Sequence, residues 1–157
     1  MSMFLTDYLE AKIRRYLKDI MKKDFEYDEE RRVFIVNEKI GEGISWKIFV
    51  NVEEEWVFIY APLLRVDNLS KEIKYRLFEV LLWLNNEYAD TSFQYDRTRE
   101  IILVSNEIHA DSFVYDVFEE KYEAIINAIK VFLEEGIPDL REHVEELKKR
   151  ALEALYL

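Results

Sequence analysis

Residues 81–108, LLWLNNEYADTSFQYDRTREIILVSNEI, decide the fold because a helical pattern gives way to a strand pattern inside them. The apolar helix ends at Asn85-Asn86-Glu87, and the alternation of Phe93 and Tyr95 with polar neighbours then predicts a strand. A polar reversal at 96–99 leads into the apolar run 101–104, which predicts the second strand of a hairpin. No catalytic signature lies in this stretch, so it predicts architecture rather than chemistry.

The residues before this stretch predict one helix and then an antiparallel meander of three strands. Apolar residues recur at helical spacing over residues 3–23. Runs rich in Val, Ile, Phe and Trp follow at 32–36, 46–52 and 56–61. Pro62 should end the third strand or give it an irregular exit, because proline donates no hydrogen bond to a sheet.

Helices are predicted on both sides of the hairpin. Ser70 is a good N-cap for a second helix, and a third helix spans about residues 116–135. Pro138 at a first helical position opens a final helix. The predicted fold class is α+β: helix, three-stranded antiparallel meander, helix, two-stranded hairpin and helix, plus an appended C-terminal helix. We expect residues 1–136 to form the domain and residues 137–157 to form that appended helix of the same globule.

The composition predicts a compact protein of the cytoplasm. The 157 residues carry a formal charge of −11, which argues against nucleic acid as a partner. Cysteine is absent and no secretion-signal pattern opens the sequence, so a cytoplasmic location is expected. No apolar run approaches the roughly 20 residues that span a bilayer, and no membrane partner is expected. The abundance of Glu and Lys also fits a protein from a hot environment.

Side chains that could carry chemistry are few and scattered. His109 and His143 lie in different elements, without the spacing of a metal site, and no nucleophile elbow is present. Gly41-Glu42-Gly43 lies between strands and is too acidic to hold phosphate, so it predicts a hairpin loop. The glutamate clusters fit solvated turns and helix faces. We therefore expect no catalytic residues, no metal site and no cofactor.

The aromatic residues of the meander carry the sharper hypothesis. Trp56, Phe58 and Tyr60 alternate along one side of the third strand, while its other side is also apolar. Either helices or a second subunit cover both sides, or the aromatic side is a platform for a partner peptide. The candidate partner-binding residues are Trp46, Phe49, Trp56, Phe58 and Tyr60.

The second helix is apolar around much of its circumference. One stripe runs from Ile73 to Tyr88, and the other side carries Phe78, Leu82 and Trp83. In a small domain this pattern predicts burial on two sides or burial against another subunit. We assign Phe78, Leu82 and Trp83 to the interface of a homodimer.

The order of elements, together with three phrases of the sequence, resembles the YbjN-like family and the wider type III secretion chaperone-like superfamily. The phrases are WKIFVNVEEEWVFIYAPL, LLWLNNEYADTSFQYDRTREIILVSNEI and FEEKYEAIINAIKVFLEE. Leu84-Asn85 and Phe93-Gln94-Tyr95-Asp96, followed by Ile101, match the pattern typical of these proteins. The resemblance covers about residues 4–135. It implies an α+β domain that commonly dimerises, lacks enzymatic activity and holds a peptide or protein partner on exposed apolar surface.

The leading hypothesis is a non-catalytic chaperone-like or adaptor domain that binds a protein or peptide, as a homodimer, through apolar and aromatic surface. The alternative is a small-molecule-binding regulatory domain or enzyme, with a pocket between sheet and helices and with Tyr60, Tyr95 or His109 as polar handles. A third hypothesis is a structural subunit in which the helix from Pro138 packs against a different protein.

Overall fold

The computed structural model describes residues 3–88, 90–136 and 144–155. These residues form four α-helices and six strands, in an order that confirms the predicted α+β class. The elements are α1 (Met3–Arg15), β1 (Phe25–Asp28), β2 (Val33–Gly41), β3 (Ile44–Glu53), β4 (Trp56–Arg65), α2 (Lys71–Glu87), β5 (Ser92–Asp96), β6 (Ile101–His109), α3 (Tyr115–Val131) and α4 (Val144–Leu155). Short π-helical turns extend α1 over Tyr16–Ile20 and α3 over Phe132–Gly136.

The described strands form one sheet in the order β1-β2-β3-β4-β6-β5. The three predicted strands of the meander are β2, β3 and β4, and a strand that was not predicted, β1, precedes them. Phe25 and Tyr27 alternate along β1, and both rings contact Phe34, with centroids 5.4 and 4.7 Å away. The intervening Glu26 and the short length of the strand concealed this alternation, because a four-residue pattern barely rises above chance.

Strand β4 continues through Pro62 to Arg65, so Pro62 does not end the strand as predicted. Within the first unit, the pairs of β3 with β4 run from Glu53 opposite Trp56 to Phe49 opposite Tyr60. Pro62 is accommodated inside the strand although it donates no backbone hydrogen bond to a neighbouring strand.

The turns of the sheet place charged residues in left-handed backbone. Arg32, Glu54 and Glu100 have φ values of 53°, 53° and 54° and lie in the turns that precede β2, β4 and β6. Asp96 stabilises the last of these turns, because its Oδ1 accepts hydrogen bonds from the backbone N–H groups of Thr98 and Arg99. Such aspartates compensate in part for the backbone strain of the turn.

Contacts between residues divide the chain into two compact units. The first unit comprises Met1–Tyr60 and Asn106–Glu123. In it α1 packs on β3, with Leu9, Ile13 and Leu17 fully buried. An aromatic cluster extends this core. The rings of Tyr16, Phe113, Phe118 and Tyr122 form a chain of neighbours with centroids 5.5 to 5.9 Å apart.

The second unit comprises Ala61–Ser105 and Ala124–Leu157. In it α2 packs beside β5, and α4 packs on β6. Ala151 and Ala154 of α4 lie against Ile101, with Leu103 and Leu155 at the margin. The appended helix therefore packs on its own chain, whereas Pro138, its predicted first residue, lies outside the described residues. Among the described residues, none of the helices has the length and the apolar character of a membrane-spanning segment.

Candidate functional site

Helix α2 of the second unit has a buried side and an exposed apolar side. Ser70 caps its start, and its hydroxyl accepts a hydrogen bond from the backbone N–H of Ile73, as predicted. Leu77, Leu81 and Leu84 are buried. The opposite side carries large side chains that remain at the surface: Tyr75 is 75% exposed, Leu82 71% and Trp83 53%.

These exposed side chains form a contiguous surface, which we call the α2 face, made of Tyr75, Phe78, Leu82 and Trp83 of α2 with Tyr95 of β5. Positions 75, 78 and 82 fall on one side of a helix. The half-buried ring of Phe78 lies 4.9 Å from the ring of Tyr95, which is 39% exposed. The surface therefore continues from the helix onto β5, the end strand in the sheet order.

The three residues predicted for a dimer interface, Phe78, Leu82 and Trp83, thus lie together on one surface. Tyr75 and Tyr95 were not assigned to it. For Tyr75 the signal was present in the sequence, three residues before Phe78 and seven before Leu82. For Tyr95 it was not, because helix spacing says nothing about which strand lies beside the helix.

Asn85 fixes β5 beside α2. Its Nδ2 donates a hydrogen bond to the carbonyl oxygen of Phe93 at 3.0 Å, and its Oδ1 accepts one from the N–H of Phe93 at 2.7 Å. One side chain satisfies both backbone groups of a residue in the end strand. Because Tyr95 lies two residues further along that strand, this pair of hydrogen bonds holds it next to Phe78.

The charges around the α2 face balance. Lys71 and Arg76 are exposed close to the aromatic side chains, and so are Glu72 and Glu79. These two basic and two acidic residues cancel in charge, although the whole chain has a net charge of −11.

The aromatic row of the first unit, Trp56, Phe58 and Tyr60 on β4, is only partly at the surface. Trp56 is 39% exposed, and Phe58 and Tyr60 are half-buried. Of the other two predicted partner-binding residues, Trp46 and Phe49 are each only 1% exposed. Trp46 shares its side of β3 with the buried Ile48 and Val50, and the ring of Phe49 stacks on that of Tyr60 at 5.4 Å. Both belong to the interior, and the surface part of the platform is reduced to β4.

His109 lies against the exposed end of this row. Its ring meets that of Trp56 edge-on, with centroids 4.9 Å apart. Its Nε2 is 3.2 Å from a carboxylate oxygen of Glu55, and its Nδ1 accepts a hydrogen bond from the backbone N–H of Asp111. Both ring nitrogens are therefore engaged in holding the end of β6.

Buried charge in the first unit serves packing. The hydroxyl of Tyr122 donates to Glu38 at 2.7 Å, and the same oxygen of Glu38 lies 2.8 Å from Nζ of Lys23. Burial, followed by the negative charge of Glu38, raises the pKa of Tyr122 far above its ordinary value. Across the described ranges, no three His, Cys, Asp or Glu side chains are grouped to hold a metal ion; His143 lies outside those ranges.

Two grooves open in the second unit. One of about 420 Å³ lies between the start of β5 and α3, with Phe93, Ala128 and Val131 as apolar lining and Asn127 and Lys130 among its polar residues. The other, of about 490 Å³, is lined mainly by charged residues, among them Arg65, Asp96 and Arg99. The residues that line these grooves do not include Tyr60, Tyr95 or His109, the polar handles suggested for a small-molecule site.

Neither a protein-family model nor any curated protein matches this sequence. Solved structures do. The ExsC–ExsE complex is similar at 17% identity and a TM-score of 0.53, over 87% of this chain and 96% of that chain. The HopA1–SchA chaperone–effector complex is similar at 9% identity and a TM-score of 0.56, over 83% of this chain and 95% of that chain. YbjN from E. coli is similar at 12% identity and a TM-score of 0.54, over 76% of this chain and 89% of that chain. The chain therefore has the type III secretion chaperone-like fold that the sequence resemblance implied, and at these identities the likeness concerns the fold alone.

Proposed function

We propose that this protein is a non-catalytic chaperone-like or adaptor domain that binds a polypeptide partner and forms a homodimer through the α2 face. The observation that carries the proposal is the exposure of Tyr75, Leu82 and Trp83 on one helix. Contiguous apolar patches of this kind on the surface of a folded domain mark interaction sites.

Charge favours a second copy as the occupant of the α2 face. In a two-fold contact the same patch meets itself, so each charged residue must find an opposite charge on the same patch. The α2 face offers this, because Lys71 and Arg76 accompany Glu72 and Glu79. An antiparallel pair of α2 helices would also bring Lys71 of one copy towards Glu87 at the other end of its partner helix.

The fold supports the second half of the proposal, the polypeptide partner. Two similar structures are complexes with a second protein, ExsC with ExsE and SchA with HopA1, the latter described as a chaperone and its effector. With the α2 face used for self-association, the surface part of the aromatic row would remain for a partner. Binding of that kind would combine apolar burial with a polar rim.

The test of the α2 face is the mass of the protein in solution, by light scattering and sedimentation, for the parent chain and for Leu82→Ala/Trp83→Ala. We expect a dimer whose dissociation constant rises by at least about tenfold in the variant, because large apolar side chains dominate interface energies. Val114→Ala, which truncates a side chain that is 52% exposed in the first unit, is the control and should leave the dimer unchanged. A parent chain that stays monomeric, or a variant of unchanged dissociation constant, would contradict the assignment.

The groove beside α3 favours a second candidate function, the binding of a small molecule. Its volume of about 420 Å³ lies in the range of ligand sites, and its lining mixes apolar and polar groups. A metabolite that raises the melting temperature of the parent chain, and does so less in Ala128→Trp, would support this candidate.

A further inference from the structure

Carboxylates surround the exposed end of the aromatic row. Glu53, Glu54 and Glu55 form the end of β3 and the turn before Trp56, and all three are exposed. Glu107 precedes His109 by two residues on β6 and is exposed on the same side of that strand. Asp111, whose side chain is 92% exposed, follows His109.

On this side of the sheet β3 carries one basic residue, Lys47. The residues on the side of Glu53 are Asn51, Phe49 and Lys47, so Lys47 is six residues, or roughly 20 Å, from Glu53. Arg31, in the turn before β2, is paired with Asp28. His109, which lies against Trp56, already contacts Glu55.

The centre of this acidic surface is aromatic. Trp56 is opposite Glu53 in the strand pairing, and Phe58 is opposite Asn51. The indole of Trp56 is 39% exposed, and the ring of Phe58 is half-buried beside it. Such a surface attracts cations by two interactions: the faces of the aromatic rings make cation–π contacts, and the surrounding carboxylates attract positive charge.

We infer that this surface, the Trp56 surface of Glu53, Glu55, Trp56, Phe58 and Glu107, docks a basic amphipathic segment of the polypeptide partner. The inference rests on the proposed function and names the chemistry of the partner at this site. Arg or Lys side chains of the segment lie over Trp56 and between the carboxylates, and its apolar side chains cover Phe58. A second copy of the chain is excluded as occupant, since the same carboxylates would face each other, and nucleic acid is repelled by them.

The test uses two synthetic peptides, one in which Arg alternates with Val and one in which Glu replaces every Arg. Affinity is measured by calorimetry at low and at physiological salt. Contact with Trp56 is followed by fluorescence in Trp83→Phe, where the only other tryptophan is the buried Trp46. We expect the Arg peptide to bind, to change the emission of Trp56, and to bind more weakly as salt rises.

The decisive variant is Glu53→Gln/Glu55→Gln, with Glu29→Gln/Glu30→Gln as the control. Both pairs are exposed glutamates of the first unit, and both changes remove the same net charge. We expect the dissociation constant of the Arg peptide to rise about five- to tenfold in the first variant and to stay within about twofold in the control.

Three results would overturn the inference: equal loss in both variants, equal binding of the Glu peptide, or no change in Trp56 emission. The parent chain, with Trp83 intact, is also analysed by calorimetry with the Arg peptide and by light scattering. If the parent chain is a dimer but does not bind the Arg peptide, only the inference about the Trp56 surface is refuted. If the parent chain is a monomer that binds the Arg peptide, only the dimer of the proposed function is refuted.

Discussion

Strand β3 of the first unit and helix α2 of the second are both apolar on two sides, yet they differ in how much of that apolar surface is buried. In β3 both sides are buried, so that Trp46 and Phe49 are each 1% exposed although they face opposite ways. In α2 one side is buried and the other leaves Trp83 53% exposed. Two-sided apolarity therefore indicates core in a central strand, where neighbouring strands supply cover, and an exposed apolar surface in a helix at the margin of a unit.

The largest test of this contrast is the pair Trp46→Ala and Trp83→Ala. We expect Trp46→Ala to lower the free energy of unfolding by about 3–5 kcal/mol, since it empties a large volume in the core. Trp83→Ala should change the stability of the monomer by less than about 0.5 kcal/mol. Urea unfolding at a concentration below the dimer dissociation constant measures both. Similar losses in the two variants would remove the distinction between core and interaction surface.

A smaller loss of stability should distinguish the buried side of α2 from its exposed side. Asn85→Ala should lower stability by about 1–2 kcal/mol, because both backbone groups of Phe93 lose their partner. Asn86→Ala alters the exposed neighbour and should stay within about 0.5 kcal/mol. Hydrogen exchange of the Phe93 amide gives a direct measurement, and unchanged protection in Asn85→Ala would contradict this role.

The smallest expected loss of stability comes from the buried Tyr122, and it depends on pH. The raised pKa of Tyr122 means that the unfolded chain releases this proton from about pH 10 upward, while the folded chain retains it. Stability is therefore full below pH 10 and falls above it, by up to about 1.4 kcal/mol per pH unit from this group. Tyr122→Phe should lose about 1 kcal/mol at pH 8 and show a flatter decline at alkaline pH.

Tyr75→Phe is the control for this pH series, because the ring of Tyr75 is 75% exposed. Its unfolding free energy should follow that of the parent chain from pH 8 to pH 11. A decline of the same slope in Tyr122→Phe and in the parent chain would show that Tyr122 does not retain its proton in the folded state.

The sequence predicted the parts of the fold that local rules govern. The cap at Ser70, the hairpin of β5 and β6 and the outward side of α2 depend on neighbours three to seven residues apart, which a sequence displays directly. These same rules located Phe78, Leu82 and Trp83, although the partner of that surface stays a prediction.

The failures occurred where distant residues decide the outcome. Strand β4 runs through Pro62 to Arg65, because neighbouring strands that are distant in the sequence decide where a strand ends. Trp46 and Phe49 entered the predicted platform because alternation in a strand identifies two sides but not what covers them. Strand β1 was missed because its apolar residues, Phe25 and Tyr27, are ordered by contact with Phe34 on the neighbouring strand, which the local pattern does not show.

Left-handed backbone at Glu54 and Glu100 has a consequence for protein engineering. Each position costs about 1 kcal/mol that glycine would avoid. Arg32 shares this backbone but has to stay, because its guanidinium pairs with Asp7 and with the buried Glu10. The two glutamates also add negative charge to their turns, which opposes association of the protein in concentrated solution. Replacing Glu54 and Glu100 by glycine should therefore yield a more heat-resistant protein that precipitates more readily when concentrated.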